Sequence, residues 1–219
     1  MHGVDYPFAV PARAGLLTAD GGWSRLPVDL DLSGRTAVVA VGSNAVPAVV
    51  AAKLAAACAG GWVPFQPNEI RGVAVAHSAH VSPGGYVPTT ALADVHSVLT
   101  LVVSWFDDAQ LTALDDTEPN YRRSALPAGC GVLGAMSYVS RWGVLAPGGA
   151  PLAPTSQTDV FRRLRVDPLL AEWLAADDAT VVEALREPGL ALRVRERFAA
   201  LGWSRPTGLE DLMSADSSG

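Results

Sequence analysis

The run Thr36-Ala37-Val38-Val39-Ala40-Val41 is continuous, apolar and rich in β-branched residues, and it breaks at once into Gly42-Ser43-Asn44. A run with no polar alternation suits a strand buried on both faces. Helical sequence follows immediately. Pro47 is tolerated in a first turn, Ser43 or Asn44 can cap it, Ala48 through Ala57 is almost all helix-forming, and Gly60 supplies a stop. A buried strand that runs through a glycine turn into a helix fits a mixed α+β architecture, because both faces of that strand need cover.

The remaining punctuation is consistent with that class. Residues 1–34 are rich in Pro, Gly and Asp without a firm period and read as an N-terminal arm. Ile70 to Leu101 changes to strand-favouring sequence, with Ser82-Pro83-Gly84-Gly85-Tyr86 as a turn. Asp107-Asp108-Ala109-Gln110 has the form of a capping box, with Leu111 and Leu114 on the buried side of a short helix. That helix must end near Thr117, because Pro119 disfavours helical dihedrals at Glu118. Tyr121 to Leu126 and Val132 to Val144 read as strands about a turn at Gly129–Gly131. After Ala146 a linker-like Pro-Gly-Gly-Ala-Pro segment leads into helical sequence punctuated at Asp167-Pro168 and Glu187-Pro188-Gly189. Its packing residues are predicted as Leu164, Leu169, Leu170, Trp173, Leu174, Val181, Leu185, Leu192, Val194 and Phe198. The tail from Asp211 to Gly219 is expected to fray. The organisation expected is thus an arm over 1–34, a main domain over 35–150 and a helical extension over 155–213.

Composition narrows the function classes. A chain of 219 residues with 49% apolar and 17% charged residues buries a sizeable core, and a net charge of −6 argues against nucleic acid as a partner. Fifteen of the sixteen basic residues are arginine and Lys53 is the sole lysine. Cys58 and Cys130 are too few for a disulfide framework; one bridge is open, and two separate buried thiols are favoured. Neither a signal peptide nor a membrane-length apolar run is recognisable, so the chain is read as cytoplasmic, with no membrane partner. The sequence leaves a homo-oligomer open.

Two stretches invite chemistry. The first is Gly42-Ser43-Asn44 at the strand-to-helix turn. Helix N-termini present unpaired N–H groups, so the turn is a seat for a carboxylate or phosphate, or else simply a capped turn. It lacks the lysine and glycine spacing of a Walker loop and is no dinucleotide fingerprint. The second is Asp115-Asp116-Thr117-Glu118, three carboxylates at a helix C-terminus. There, like charges and the helix dipole disfavour ionisation and would raise one carboxyl's pKa toward a general base's range. A solvated acidic turn is the alternative. His77, His80 and His96 are weak as metal ligands, since a spacing of three sends strand side chains to opposite faces. Cys130 between two glycines lacks a recognisable partner for a nucleophile, and no G-x-S-x-G elbow is present. The tryptophans Trp62, Trp105, Trp142, Trp173 and Trp203 read as packing residues.

Taken in order, the two stretches resemble the γ-glutamylcyclotransferase family, including its plant AIG2-like branch, over residues 36–140. That family has Tyr-Gly-Ser-Asn-Leu after its first strand, matched here by Gly42, Ser43 and Asn44. Farther on it has Leu-Asp-x-x-Glu-Gly and then a tyrosine opening a strand, matched by Leu114, Asp115, Glu118 and Tyr121. Val41 stands where the family has tyrosine, Ala45 where it has leucine and Pro119 where it has glycine. The resemblance implies a mixed β-barrel with flanking helices, here extended by C-terminal helices. It also implies a pocket in which Val41, Gly42, Ser43, Asn44, Ala45 and Tyr121 contact the substrate. By the same resemblance, backbone amides of the Gly42–Asn44 turn hold the α-carboxylate of a γ-glutamyl group and Glu118 is the acid/base residue. Neither a metal nor a cofactor is implied. The activity expected is cyclisation of a γ-glutamyl amide to 5-oxoproline and free amine; the alternative is a non-catalytic protein binding a small carboxylate, or an interaction protein, on the same fold.

Overall fold

The computed structural model describes residues 3–209. Nine strands and six α-helices are formed among these residues. The strands are β1 (Gly15–Leu17), β2 (Trp23–Ser24), β3 (Thr36–Ala40), β4 (Val63–His77), β5 (Thr89–Phe106), β6 (Tyr121–Ala125), β7 (Met136–Ser140), β8 (Val144–Leu145) and β9 (Ser204–Arg205). The helices are α1 (Pro47–Ala56), α2 (Asp108–Asp116), α3 (Gln157–Leu164), α4 (Pro168–Trp173), α5 (Asp178–Leu185) and α6 (Pro188–Ala200). The first seven strands form one mostly antiparallel sheet in the order β2-β1-β4-β5-β3-β7-β6, so the fold is α+β. No helix among the described residues is long and apolar enough to cross a membrane.

The chain divides into two compact units, each assembled from separate stretches. One comprises Ala9–Ala74, Ala91–Arg141 and Gly208–Gly219, and it carries most of the sheet with α1 and α2. At its centre β3 pairs antiparallel with β5, Val39 opposite Val103, and parallel with β7, Val39 opposite Ser137. The alternation inherent in a strand then sends Val38 and Ala40 into one apolar cluster, and Ala37 and Val39 into another. Both faces are therefore buried, as the unbroken apolar run requires. The N-terminal segment is more than an arm. Its β1 pairs with β2 and with β4, placing Gly15 opposite Phe65.

Helix α2 begins at the expected capping box: the Asp107 carboxylate accepts from the Gln110 N–H at 2.9 Å, and the Gln110 side chain accepts from the Asp107 N–H. It ends with Thr117 as C-cap. Helix α1 departs from expectation at both ends. A 3-10 turn, Ser43–Ala45, intervenes before it, so Val46 is its N-cap and neither Ser43 nor Asn44 caps it. Its stop is Cys58, which takes a left-handed conformation (φ 53°) ahead of Gly60. Cys58 is exposed and Cys130 buried, and both are free thiols.

The other unit comprises Met1–Phe8, Val75–Thr90 and Trp142–Thr207. Asp167, Asp177 and Ser156 cap α4, α5 and α3 through their side chains, and Pro168 and Pro188 occupy the first turns of α4 and α6. Val160, Phe161, Leu164, Leu170, Leu174, Val181, Leu185, Val194 and Phe198 share its apolar core. Leu169 and Leu192, expected in that core, are exposed. The end of the predicted extension, 210–213, and the tail lie outside the described residues.

The turn at Gly85 rests on a close backbone approach. Its φ is +78°, and a Cβ built there would lie 1.9 Å from the Val182 carbonyl oxygen. Gly148 also has positive φ, +90°, but open space around its Cβ position. Gly148→Ala therefore carries only conformational strain, about 1–2 kcal/mol. Gly85→Ala adds a backbone clash and is expected to lower the unfolding free energy by clearly more, measured by urea denaturation of the two variants.

Candidate functional site

Three side chains from three separate segments of the sheet-bearing unit converge beside the β3 exit. Asn44 comes from the 3-10 turn, Lys53 from the last turn of α1, and Glu118 from the loop after α2. Lys53 Nζ donates to Glu118 Oε1 at 2.6 Å and to Asn44 Oδ1 at 2.8 Å. Asn44 Nδ2 donates to the same Glu118 Oε1 at 3.0 Å. An ammonium can only donate, so the Asn44 atom facing Lys53 must be the oxygen, which turns its NH₂ toward Glu118. The carboxylate and ammonium side chains are 12% and 17% exposed, so the pair is largely withdrawn from water without being sealed.

This arrangement follows from local sequence. Lys53 stands three residues after the buried Val50 and next to the buried Leu54, on the flank of the face that α1 packs inward. A long side chain there can lay its stem on the apolar face and reach its rim with the charge. Glu118 N–H bonds back to Asp115 O, and Glu118 O accepts from Tyr121 N–H at 2.9 Å. The Glu118 backbone is thus tied between α2 and the start of β6.

The structure therefore brings Glu118 to Asn44, some seventy positions away in sequence. Other expected site residues fare differently. Ala45 is buried in the apolar cluster that also holds Val38 and Val50, so its side chain faces away from solvent. Val41 is half-buried against the cluster on the opposite face of β3. Tyr121 is half-buried and packs against the Ala45 cluster. Gly42 and Ser43 are half-buried, but the turn uses part of its own backbone: Ala45 N–H bonds to Gly42 O and Val46 N–H to Ser43 O, both at 3.0 Å. Lys53 was missed entirely. The one signal that marked it was its being the single lysine beside fifteen arginines.

The acidic turn also behaves otherwise than expected at Asp115. Burial pushes its carboxyl up, but the Arg123 guanidinium and the Tyr138 hydroxyl together outweigh that and hold it below the usual carboxylate range. Arg123 grips both oxygens at 3.0 Å and Tyr138 donates at 2.8 Å. Burial, and then this hydrogen bond, push the Tyr138 phenol well above its ordinary value. Asp115 is a structural anchor of the β6–β7 pair.

His77 and His80 are buried and hydrogen-bonded within the fold. In the helical unit His77 Nδ1 meets Val87 O at 2.9 Å, and its Nε2 accepts from Thr155 N–H at 3.1 Å. His80 Nδ1 meets Ser78 Oγ at 2.6 Å; burial, with Arg195 adding, pushes the His80 pKa down to about 3, so the ring is neutral at pH 7. His96 is exposed and belongs to the other unit. Among the described residues no group of three His, Cys, Asp or Glu is placed to hold a metal ion. Trp62, Trp142 and Trp173 each lie under an arginine, namely Arg35, Arg195 and Arg193.

Comparison with protein-family models, with curated proteins and with solved structures gives no match.

Because the Asp115 pKa is depressed in the folded chain, its contribution to stability is present above the unfolded carboxyl's ordinary value of about 3.9 and is lost as pH falls through the lower folded value. Asp115→Asn is therefore expected to be less stable than wild type at pH 7, with the difference shrinking progressively below about pH 4. Urea unfolding of both proteins across pH 2–7 measures it (a flat difference refutes the assignment).

Proposed function

We propose that the chain is a γ-glutamylcyclotransferase-like protein that cyclises a γ-glutamyl amide to 5-oxoproline and a free amine. The observation that carries this reading is the 3.0 Å hydrogen bond between Asn44 and Glu118. It joins the two motifs of the resemblance at one partly open site. The finer architecture belongs to the same proposal: a mixed β-barrel of the family's kind, with the C-terminal helices as an addition.

The bound α-ammonium cannot attack until it loses a proton. Glu118 Oε2 is the oxygen that neither Lys53 nor Asn44 engages, and it takes that proton. The freed amine nitrogen adds to the side-chain carbonyl carbon, forming the new C–N bond of the five-membered lactam. The old amide C–N bond breaks as the proton held by Glu118 passes to the departing nitrogen. The second proton of the ring nitrogen leaves through the same carboxylate to the released amine, which departs as an ammonium and restores the Glu118 carboxylate. Most of the acceleration comes from holding amine and carbonyl together. Proton transfer contributes roughly 10²–10⁴-fold.

A second reading has its own support. Lys53 already engages Glu118 Oε1, and Val41 supplies no hydroxyl at the β3 exit, which together suit a small-carboxylate-binding protein without turnover.

The two readings separate in one assay. A panel of γ-glutamyl amines is incubated with the protein and 5-oxoproline is followed by mass spectrometry. Cyclisation predicts product from at least one amine and a loss of about 10²–10⁴-fold in Glu118→Gln. Product formation that Glu118→Gln leaves untouched excludes Glu118. Saturable binding of γ-glutamyl amines without product favours the second reading.

A further inference from the structure

Lys53 is the group that neither motif contains, and its geometry gives it a use. Its ammonium has three N–H donors, and two are engaged, by Glu118 Oε1 and Asn44 Oδ1. Glu118 has two carboxylate oxygens, and one receives both local hydrogen bonds. The ion pair thus retains one donor and one acceptor side by side, and both side chains keep some access to solvent. An isolated ion pair satisfied for its own sake has no need of this incompleteness. A ligand that carries a cation and an anion on neighbouring atoms fits it as the other half of a closed four-charge ring.

We infer that Lys53 holds the α-carboxylate of the ligand while Glu118 receives its α-ammonium, so that an α-amino-acid head group docks across the Lys53–Glu118 pair. This inference rests on the proposed cyclisation reading for the identity of the head group. It changes who binds the carboxylate. A full positive charge beside the turn takes over that task with a charge-assisted hydrogen bond.

The choice of lysine is part of the argument. Every other basic residue is arginine. A guanidinium forks across both oxygens of a carboxylate, as Arg123 does at Asp115. A fork at position 53 would close Glu118 Oε2, the oxygen on which both the docking and the proton transfer depend. An ammonium engages one oxygen and leaves the other.

The single lysine also makes the test clean. Protein labelled with ε-¹³C-lysine gives one lysine side-chain signal, from Lys53. Titration with γ-glutamyl methylamide is expected to move that signal saturably. Its counterpart without the α-carboxylate, 4-amino-N-methylbutanamide, is expected to leave it in place. Lys53→Met should weaken binding of the first compound by roughly tenfold or more, as for loss of a charged hydrogen bond. Lys53→Arg, which keeps the charge, should fail to restore binding. The wild-type titration needs no variant to fold, and circular dichroism verifies the variants.

5-Oxoproline measured in the same wild-type samples separates the two claims. Product with an unmoved Lys53 signal overturns the role of Lys53 and leaves cyclisation standing. A carboxylate-dependent shift without product supports the head-group site and removes the reaction. A signal unmoved by either compound, with no product, overturns both, and so does equal response to the two compounds for the role of Lys53.

Discussion

β3 is paired on both edges, antiparallel with β5 and parallel with β7, and both of its faces are buried. Every backbone polar group of such a strand must be paired within the sheet, because water reaches neither face. Its register is therefore hard to slip: moving it by one residue would exchange the Val38–Ala40 set with the Ala37–Val39 set and misfit two cores at once. The chain then leaves the sheet at a fixed point and with a fixed direction. Gly42 to Ala45 has only a short 3-10 turn in which to reach the first residue of α1. The position of Asn44, and through it that of Lys53, follows from the pairing of β3.

The second half of the site is positioned by different means. Helix α2 is clamped at its start by the Asp107–Gln110 box and at its end by Asp115, which ties it through Arg123 and Tyr138 to β6 and β7. Arg35 reinforces the start: it stacks on Trp62 and donates to Gln110 Oε1 at 3.1 Å. Glu118 follows the second anchor, its backbone tied between the end of α2 and the start of β6. A partly buried ion pair offers little net stability once desolvation is counted, and breaking one member leaves the other uncompensated. The cluster at Lys53 therefore depends on its scaffold more than the scaffold depends on it, which is what a site for a ligand requires.

Much of this was legible in the residues. The unbroken run at 36–41 announced a strand buried on both faces, the Asp107–Gln110 spacing announced a helix start, and Pro119 announced its end. These are local signals, in which the residue type itself carries the physics. The N-terminal strands were not legible, because β1 and β2 are three and two residues long and derive their strand geometry from pairing with β4, far along the chain. Propensity cannot show a partner. The cap of α1 misled for a related reason. Asn44 is a good capping residue by type, but Lys53 and Glu118 compete for its amide, and two charge-assisted hydrogen bonds outweigh one neutral cap. Leu169 and Leu192 were assigned inward by hydrophobicity alone, although exposed leucines are ordinary in folded chains.

The acidic turn shows how partner shape, rather than charge count, decides which carboxylate is available for chemistry. Asp115 and Glu118 lie three residues apart at the end of one helix, and each is paired with one cation. At Asp115 the planar guanidinium engages both oxygens and a phenol adds a third donor. That carboxylate is filled and its ionisation is locked by its neighbours. At Glu118 an ammonium and an amide converge on a single oxygen, and neither engages the second oxygen. The sequence pattern of three carboxylates in four positions is symmetric between these outcomes. What breaks the symmetry is an arginine on β6 for one and a lysine on α1 for the other. The fold sets that difference by choosing which helix face meets which strand.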